Sequence, residues 1–554
     1  MNRVVSLLKG LVQGPIKATT LTVIVAIYLT TMQNHSFWLA VITTLPAHFD
    51  FQQYLFLACL FVILNAALIV LLSILGAGPL LKPVLIAVLL IASVCSYFMD
   101  AFGTIIDEAM IVNSLQTDVH EVGDLFSIPF ILHILGFGVV PAIWVARVTI
   151  VAQRWQRSLM QRSLLAGLAL VVLIGGIAAD YKQMSLWARP NKQVRLYINP
   201  SYPIYSAFQN ARDTLSVKKN VPLIKLATDA KRGAKAGRPL LVVVVIGETA
   251  RARNFSLLGY ERPSNPELAK VPGLISYEQV SSCGTSTAIS VPCMFSGLGR
   301  ASFSRDKARE QENLLDVVKR TGIDVLWRDN NSGCKGVCAR VATDDLFRKH
   351  DDALCNSEEC LDEILLKGLD LSPAAAGRDE LLVLHQKGSH GPAYFKRYPA
   401  EYRRFVPECA RDDVQSCSRE EITNAYDNTI VYTDHVLTSL IDILQAHAAS
   451  LDSVMLYVSD HGESLGENGI YLHGLPYSIA PAEQTHVPML AWLSEGARQS
   501  QGVDLQCLMA SRSKPASHDN LFDTVLGLFH IETERYRADL DLFQACRGVN
   551  RAAG

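Results

Sequence analysis

A loop rich in hydroxyl groups is the first part of this sequence that could carry out covalent chemistry. It reads SSCGTSTAISVPCMFSG over residues 281–297. Between its two cysteines lie Thr285, Ser286, Thr287 and Ser290. A Ser or Thr hydroxyl is a poor nucleophile at neutral pH unless a base or a metal ion activates it. Several of these hydroxyls could serve, and their residue types alone do not select one.

Groups that could activate a hydroxyl follow two apolar runs elsewhere in the chain. Glu248 ends the run PLLVVVVIGE, and Asp460 ends DSVMLYVSD with His461 directly after it. Carboxylate oxygens and imidazole nitrogens are ligands of Zn²⁺. Each residue alone would more often cap a helix or form a turn. Together, at the ends of apolar strands, they favour a metal site.

These runs also predict the fold that positions the site. Four continuous apolar runs end in polar residues, as central strands of a parallel sheet do: PLLVVVVIGE, IDVLWRDN, ELLVLHQKGSH and DSVMLYVSD. Helical stretches such as NLLDVVKRTG lie between them. The pattern predicts an open α/β sheet with helices on both faces. Ligands of such sheets bind beyond the carboxyl ends of the strands.

The first third of the chain predicts a membrane domain. It carries nearly all of the excess of apolar residues in a chain whose mean hydropathy, +0.20, is high for a soluble protein. We expect residues 1–180 to form a bundle of five transmembrane helices, each close to the ~20 residues that a spanning helix needs. The five apolar runs lie near 19–44, 51–76, 83–103, 126–150 and 163–180.

The loop charges predict the orientation of this bundle. Basic residues precede the first run and crowd the fourth connection, which the positive-inside rule places in the cytoplasm. The third connection is acidic and should face outward. Five spans then leave residues 239–554 outside, as an exported catalytic domain. Residues 181–238 bridge the two parts, either at the membrane interface or as a plain surface linker.

Cysteine placement agrees with export. Ten of the 12 cysteines lie in the exported part, most of them as near neighbours in sequence, which favours disulfides in an oxidising compartment. Zinc-binding pairs are the alternative, but the regular CxxC spacing is lacking. They are Cys283, Cys293, Cys334, Cys338, Cys355, Cys360, Cys409, Cys417, Cys507 and Cys546. The formal net charge of -2 offers no footprint for nucleic acid.

Several motifs together resemble one known family. ETAR at 248–251, CGTST followed by PCMFS, GSHGP and SDHGESLGENG are similar to the lipid A phosphoethanolamine transferases. These are inner-membrane members of the alkaline phosphatase superfamily and relatives of the mobile colistin-resistance enzymes. The resemblance covers essentially the whole chain. It implies an alkaline-phosphatase/sulfatase-like α/β/α domain in the bacterial periplasm, after the multi-pass inner-membrane bundle.

The resemblance also implies roles for single residues. Thr285 would be the nucleophile and would bind zinc together with Glu248, Asp460 and His461, with one zinc ion or two in the site. A Cys283–Cys293 bridge would hold the loop rigid around the nucleophile. The residues expected to contact the substrates are Asn113, Thr117, Glu121, Ser332, Lys335, His390 and His473.

The activity implied is transfer of phosphoethanolamine from phosphatidylethanolamine to a phosphate of lipid A, through a phosphothreonine-type intermediate. Diacylglycerol is released, and lipopolysaccharide loses negative charge, which implies polymyxin resistance. We expect a monomer among membrane lipids. The alternatives are transfer to another envelope glycan, a metal-dependent phosphatase or sulfatase-like hydrolase, a glycerophosphate polymerase, and a receptor. The sulfatase signature Cys/Ser-x-Pro-x-Arg is not matched around Pro292.

Overall fold

The computed structural model divides into two compact units, one of residues 1–111 and 126–212 and one of residues 112–125 and 213–554. Within residues 15–548 it describes every residue except 117–122, 124, 180, 217–221, 234–236, 350, 357–358, 372–376 and 412–413.

The first unit is helical, because its long apolar runs satisfy their backbone hydrogen bonds internally. Its helices, with the two that cross the boundary between the units, are α1 (Ala18–Met32), α2 (His35–Thr43), α3 (Phe51–Leu75), α4 (Leu81–Phe102), α5 (Glu108–Gln116), α6 (Ile128–His133), α7 (Val140–Arg147), α8 (Trp155–Ala179), α9 (Tyr181–Ala188) and α10 (Ser201–Ser216). A π-helical turn, Ile134–Val139, joins α6 to α7.

Four helices of the described residues are long and apolar enough to cross a membrane, which makes the chain a multi-pass membrane protein. They are Phe51–Leu75, Gly78–Phe102, Ile128–Arg147 and Trp155–Ala178. The prediction of five full-length spans is therefore wrong for the first run. That run folds as α1, with only 15 residues, and the nine-residue α2.

Two polar residues break the first run. Gln33 and Asn34 follow α1, and both are buried. The Asn34 amide donates to the carbonyl oxygens of Leu29 and Asn199, and the Gln33 amide donates to the carbonyl of Phe137. Buried amides need such partners, and these tertiary hydrogen bonds hold the chain out of a continuous helix.

The second unit is built on a seven-stranded sheet. Its strands are β2 (Leu240–Gly247), β3 (Ile275–Tyr277), β5 (Asp324–Asp329), β6 (Ala342–Asp345), β7 (Glu380–His385), β8 (Asp452–Ser459) and β11 (Met489–Leu493). Their order across the sheet is β3-β11-β8-β2-β7-β5-β6. Smaller pairings join β1 (Lys231–Arg232) to β13 (Ile531–Glu532), β4 (Val280–Ser281) to β12 (Ala516–Ser517) and β9 (Ser464–Glu467) to β10 (Ile470–Leu472).

The four predicted strands are the centre of this sheet. They are β8, β2, β7 and β5, adjacent and parallel. Both β2 and β8 are buried along their whole length, as strands covered on both faces are. The strands β11 and β3 pair antiparallel at one edge, which the sequence did not indicate.

The helices of this unit are α11 (Thr287–Ser296), α12 (Arg305–Glu310), α13 (Leu314–Arg320), α14 (Leu346–Lys349), α15 (Arg419–Ala446), α16 (Ala482–Thr485), α17 (Glu495–Ser500), α18 (Leu505–Ser511) and α19 (Asp519–Leu528). Buried rings pack α11 against its surroundings. Phe295 packs against Trp327 of β5 at 5.6 Å between ring centroids. Phe522 of α19 fills the space beside Gly297, where a Cβ would meet its ring at 2.9 Å.

All ten cysteines of this unit form disulfides. The pairs are Cys283–Cys293, Cys334–Cys338, Cys355–Cys360, Cys409–Cys417 and Cys507–Cys546. Cys59 and Cys95, in the membrane helices, form no disulfide. The prediction of a disulfide framework is confirmed.

Candidate active site

Two adjacent strands bring three predicted metal ligands together. Gly247 and Ser459 are in register on β2 and β8, so Glu248 and Asp460 leave the sheet side by side. One ligand atom from each of Glu248, Asp460 and His461 lies within 4.8 Å of the others. All three side chains are fully buried. The structure therefore forms the cluster that the strand ends predict.

The backbone orients Asp460 toward the centre of this cluster. Its Oδ1 accepts the N–H groups of Thr249 and His461, at 3.1 and 2.7 Å. Its Oδ2 accepts no hydrogen bond from any described residue and lies 3.3 Å from Nε2 of His461. A buried carboxylate oxygen without a donor is costly unless a cation or proton compensates it. Asp460 thus points a free ligand atom into the cluster.

His461 has the tautomer of a metal ligand. Its Nδ1 lies 2.9 Å from the carbonyl oxygen of Gly462, so Nδ1 carries the proton that it donates there. Nε2 is then left to face the carboxylates, 3.4 Å from Oε1 of Glu248. A fixed Nδ1–H is the usual arrangement for a histidine that binds metal through Nε2.

The cluster holds more negative charge than its surroundings balance. Burial raises the pKa of Asp460 to about 7, and the charge of Glu248 adds to this shift. Burial alone would lower the pKa of His461, but the carboxylates of Asp460 and Glu248 raise it to about 10. A proton held by the cluster thus offsets part of the carboxylate charge. A divalent cation would displace this proton, because metal ligands must be deprotonated.

Two side chains hold the carboxylate of Glu248. Thr249 Oγ1 donates to Oε1 at 2.9 Å, and the Asn331 amide donates to Oε2 at 2.8 Å. Asn331 also donates to the carbonyl of Gln386 at 2.8 Å, which fixes its amide. Behind it His385 pairs with Asp329, Nδ1 to Oδ2, at 3.1 Å. Outer contacts of this kind orient metal ligands.

The nucleophile loop, residues 281–297, presents Thr287 to this cluster. Thr287 is the first residue of α11, and its Oγ1 lies 3.2 and 3.1 Å from the two carboxylate oxygens of Glu248. The same oxygen lies 3.5 Å from Nε2 of His461. A hydroxyl at a helix N-terminus sits where negative charge is favoured. Thr287 therefore has the surroundings of an activated nucleophile.

Thr285, for which we predict this role, is placed differently. Its Oγ1 donates to the main-chain carbonyl of Leu475 at 2.6 Å, and no described hydrogen bond joins it to Glu248, Asp460 or His461. The helix explains the difference, because α11 begins two residues later and directs Thr287 at the strand ends. The structure thus separates Thr285 from the cluster in which it was expected.

The other two hydroxyls between Cys283 and Cys293, those of Ser286 and Ser290, are buried but lie away from the candidate ligands. Ser290 Oγ accepts the N–H of Gly284 at 3.0 Å and closes the turn before the helix. The Ser286 hydroxyl has no hydrogen-bond partner among the described residues. Neither makes a described contact with the ligands, so Thr287 is the loop hydroxyl that the structure brings to them.

A second group of titratable side chains adjoins the cluster. The rings of His461 and His473 lie 4.3 Å apart between centroids, and those of His473 and His390 lie 5.6 Å apart. Glu463 is fully buried, with Oε2 3.4 Å from Nδ1 of His473. Burial raises the pKa of Glu463 to about 8. The structure therefore brings both predicted histidines to the site.

The loop after β5 carries two more predicted residues. Lys335 Nζ donates to the carbonyl and hydroxyl oxygens of Ser332, at 3.0 and 2.8 Å. Ser332 is adjacent to Asn331, which contacts Glu248. Of the predicted lipid contacts in the membrane-side segment, Asn113 lies in α5, whereas Thr117 and Glu121 lie outside the described residues.

Several residues of the site could not be identified from the sequence. Asn331, Asp329, His385 and Glu463 reach it through strand order or through a neighbouring turn. Asp329 and His385 each stand at the end of an apolar run, and this position is the sequence feature that could have marked them as site residues. Glu463 belongs to the Asp-His-Gly-Glu motif. The contact of Asn331 with Glu248 depends on β7 lying between β5 and β2, so no local pattern reveals it.

The residues present fit a zinc ion. Two carboxylates, an imidazole whose Nε2 faces them and a threonine hydroxyl form a donor set of oxygen and nitrogen, which Zn²⁺ accepts. The unpartnered Oδ2 of Asp460 is the atom that such an ion would satisfy.

Two protein-family models match the chain. The phosphoethanolamine transferase EptA/EptB family matches residues 64–215, and the sulfatase family matches residues 241–531. Phosphatidylethanolamine transferase Mcr-2 of Escherichia coli is 40% identical over 520 residues, covering 92% of this chain and 94% of that protein. Phosphoethanolamine transferase EptA of Escherichia coli K12 is 38% identical, covering 98% of this chain and 100% of that protein.

A solved structure is similar over both units. Integral membrane lipooligosaccharide phosphoethanolamine transferase A of Neisseria meningitidis superposes with a TM-score of 0.93 at 36% identity, covering 96% of this chain and 100% of that one. The sequence matches and this structural match point to the same family. This chain belongs to the phosphoethanolamine transferase family.

Proposed function

We propose that this protein transfers phosphoethanolamine from phosphatidylethanolamine to a phosphate of lipid A, with Thr287 as the nucleophile. The observation that carries the proposal is the Thr287 hydroxyl lying against the buried cluster of Glu248, Asp460 and His461. Family membership supplies the group transferred, and the names of the relatives suggest the donor. The assignment of Thr287 in place of Thr285 comes from the geometry.

Glu248, Thr287, Asp460 and His461 would hold a zinc ion. When bound, such an ion acts as a Lewis acid that favours the deprotonated form of a hydroxyl and polarises a phosphoryl oxygen. The chain itself contributes a dry, rigid setting, because all four side chains are nearly or fully buried. We also propose a second zinc ion near His390, His473 and Glu463, because their imidazole and carboxylate groups are of the kinds that bind zinc.

In the first half-reaction, Thr287 Oγ forms a bond to the phosphorus of phosphatidylethanolamine, and the bond from phosphorus to the glycerol oxygen breaks. The Thr287 hydroxyl gives up its proton as the new bond forms, and phosphoethanolamine stays on Thr287 as a phosphodiester. Diacylglycerol leaves after its glycerol oxygen has taken up a proton, so one proton is released and one is taken up. We assign the delivery of that proton to His473, which is held beside the carboxyl group of Glu463. The N-terminus of α11 favours the negative charge of the phosphoryl oxygens.

In the second half-reaction, a phosphate oxygen of lipid A attacks the same phosphorus, and the bond to Thr287 Oγ breaks. Thr287 takes up the proton that the attacking phosphate group loses, and the enzyme returns to its starting state. A covalent intermediate divides one difficult transfer into two easier ones. The two lipids then never need to occupy the site together.

The loop after β5 supports a role in binding the headgroup. Asn331 and Ser332 line a cavity of about 420 Å³ together with Lys387. Because Asn331 also contacts Glu248, this cavity adjoins the ligands. Lys335 lies on the same loop, and its ammonium group would offset phosphate charge. Asn113, Thr117 and Glu121 remain proposed contacts of the donor lipid.

The cellular setting follows from chemistry and topology. Five disulfides in the catalytic unit favour the bacterial periplasm. The apolar helices anchor the chain in the inner membrane, where phosphatidylethanolamine is at hand. We retain residues 1–180, 181–238 and 239–554 as the proposed membrane, bridging and catalytic regions of a monomer. Modification of lipid A would lower its negative charge and thereby confer polymyxin resistance.

Mass analysis of lipid A tests this function. Cells that express the protein should contain lipid A with one added phosphoethanolamine, and cells that express Thr287→Ala should not. Unmodified lipid A, with the group found on another envelope glycan instead, would contradict the acceptor. Thr285→Ala is the matched control, because it removes a hydroxyl from the same loop without touching the ligands.

A further inference from the structure

A buried histidine outside the predicted site joins the two halves of the active site. His518 is fully buried. Its Nδ1 lies 3.0 Å from the backbone nitrogen of Cys283, and its Nε2 lies 2.9 Å from the carbonyl oxygen of Ser459. A backbone N–H can only donate and a carbonyl can only accept, so Nδ1 accepts from Cys283 and Nε2 donates to Ser459. One neutral tautomer satisfies both hydrogen bonds.

Both anchor points lie next to the chemistry. Cys283 lies near the start of the nucleophile loop, four residues before Thr287, and is linked by its disulfide to Cys293 within α11. Ser459 directly precedes Asp460, and its hydroxyl donates to the carbonyl of His461. The imidazole therefore connects the element that carries the nucleophile with the element that carries two metal ligands.

The backbone around His518 strengthens this connection. His518 follows β12, which pairs in parallel with β4, the strand that leads into the nucleophile loop. The His518 N–H donates to the carbonyl of Ser281 at 3.1 Å, and the Ala516 N–H donates to the carbonyl of Gln279 at 2.8 Å. These two hydrogen bonds hold the segment before His518 beside the segment that leads into the nucleophile loop. Burial lowers the pKa of His518 to about 4, which agrees with the neutral ring that the geometry requires.

We propose that His518 is a positioning residue that fixes the nucleophile loop against the strand carrying the metal ligands. It makes no described contact with Glu248, Asp460 or His461, so it acts through Cys283 and Ser459. The inference rests on the proposed function, because it gives His518 the task of placing Thr287. A displacement of about 1 Å of a reacting group can slow a reaction by about 100-fold.

Three substitutions separate the two hydrogen bonds. His518→Asn keeps an acceptor near the position of Nδ1, His518→Gln keeps a donor near the position of Nε2, and His518→Ala keeps neither. The matched control is His435→Asn, because His435 also uses both ring nitrogens, toward Glu267 and Glu363, on a helix that carries no proposed site residue. The full chain is loaded with zinc and given phosphatidylethanolamine alone.

The measurements are the rate of adduct formation, its KM for the donor, the zinc content and the Tm. We expect His518→Ala to slow adduct formation by about 10- to 100-fold, with zinc content and KM close to those of the unchanged enzyme. His518→Asn should recover part of the rate, because the bond to the nucleophile loop is kept. His435→Asn should lower the Tm and leave the rate unchanged.

Two results would overturn the proposal. One is a folded, zinc-loaded His518→Ala enzyme with an unchanged rate, or, where that variant does not fold, an unchanged rate in His518→Gln. The other is a loss of rate matched by an equal loss of zinc or of folded protein in all three variants, which would make His518 a residue of stability alone. Failure of the proposed function is distinguishable, because it shows as an absent or differently placed adduct in the unchanged enzyme.

Discussion

The Thr287 hydroxyl lies 3.1 Å from Oε2 of Glu248, at the point where the first turn of α11 meets the end of β2. This contact joins two parts of the proposed chemistry that come from different motifs, a nucleophile loop and a metal-ligand strand. Thr285, two residues earlier, donates to the carbonyl of Leu475 instead.

Asp460→Ala should remove zinc and abolish turnover. The substitution deletes the carboxylate whose Oδ2 faces the cluster without a hydrogen-bond donor among the described residues. Zinc content is measured on the purified full chain by elemental mass spectrometry, and turnover is measured with phosphatidylethanolamine. Full activity of the unchanged enzyme after removal of all metal would contradict the proposed activation of Thr287.

Asn331→Ala should weaken zinc binding by about 10- to 100-fold, the usual effect of losing a partner of a metal ligand. Asn331 donates to Oε2 of Glu248, and no other described side-chain amide does so. Competition with a chelator measures the affinity. Ser332→Ala is the control, since Ser332 is the next residue and makes no described contact with Glu248. Equal zinc affinity in both variants would show that Asn331 does not orient the ligand.

Loss of the Cys283–Cys293 disulfide should reduce activity more than stability. Its loop spans 10 residues, and that of Cys409–Cys417 spans 8. The entropy of loop closure predicts a similar cost of about 3 kcal/mol for replacing either pair by serine. Only the first pair encloses Thr287, so only its loss should also slow adduct formation. Equal rates in the two folded double variants would count against a positioning role for the disulfide.

The buried imidazole of His518 should make stability fall in mild acid. Its pKa is lowered to about 4 by burial in the folded state, whereas in the unfolded chain it is about 6.5. The unfolded state therefore binds more protons between these two values, and the contribution of His518 to stability is lost as the pH falls from about 6.5 to about 4. The slope is about 1.4 kcal/mol per pH unit at most, or about 3 kcal/mol in total.

His518→Asn lacks this titration and provides the comparison. The advantage of the unchanged enzyme in unfolding free energy should shrink by that amount between about pH 7 and about pH 4. Zinc release affects both proteins and cancels in the difference. An advantage that stays constant over this range would contradict a neutral buried ring at His518.

The sequence predicted the cluster of candidate metal ligands because each ligand lies at the end of a strand. Glu248, Asp460 and His461 each follow an apolar run, and parallel strands end at one edge of a sheet. The choice between Thr285 and Thr287 was beyond the sequence, since it depends on where α11 begins. His518 lies 235 residues from Cys283, so only the folded chain reveals their contact.

In the membrane unit, the polar pair Gln33 and Asn34 was the signal that the first apolar run is broken. Two polar residues within a long apolar run are compatible with a continuous spanning helix. Their hydrogen bonds to Phe137 and Asn199, more than 100 residues away, decide the outcome. Those partners are known only from the folded chain.

The position of the covalent adduct decides whether Thr287 is the nucleophile. The full, zinc-loaded chain is incubated with phosphatidylethanolamine alone, its disulfides are reduced, and the peptide that spans residues 281–297 is fragmented in a mass spectrometer. We predict phosphoethanolamine on Thr287, its persistence in Thr285→Ala and its absence in Thr287→Ala. Phosphoethanolamine on Thr285 of the unchanged enzyme, retained in Thr287→Ala, would contradict this prediction.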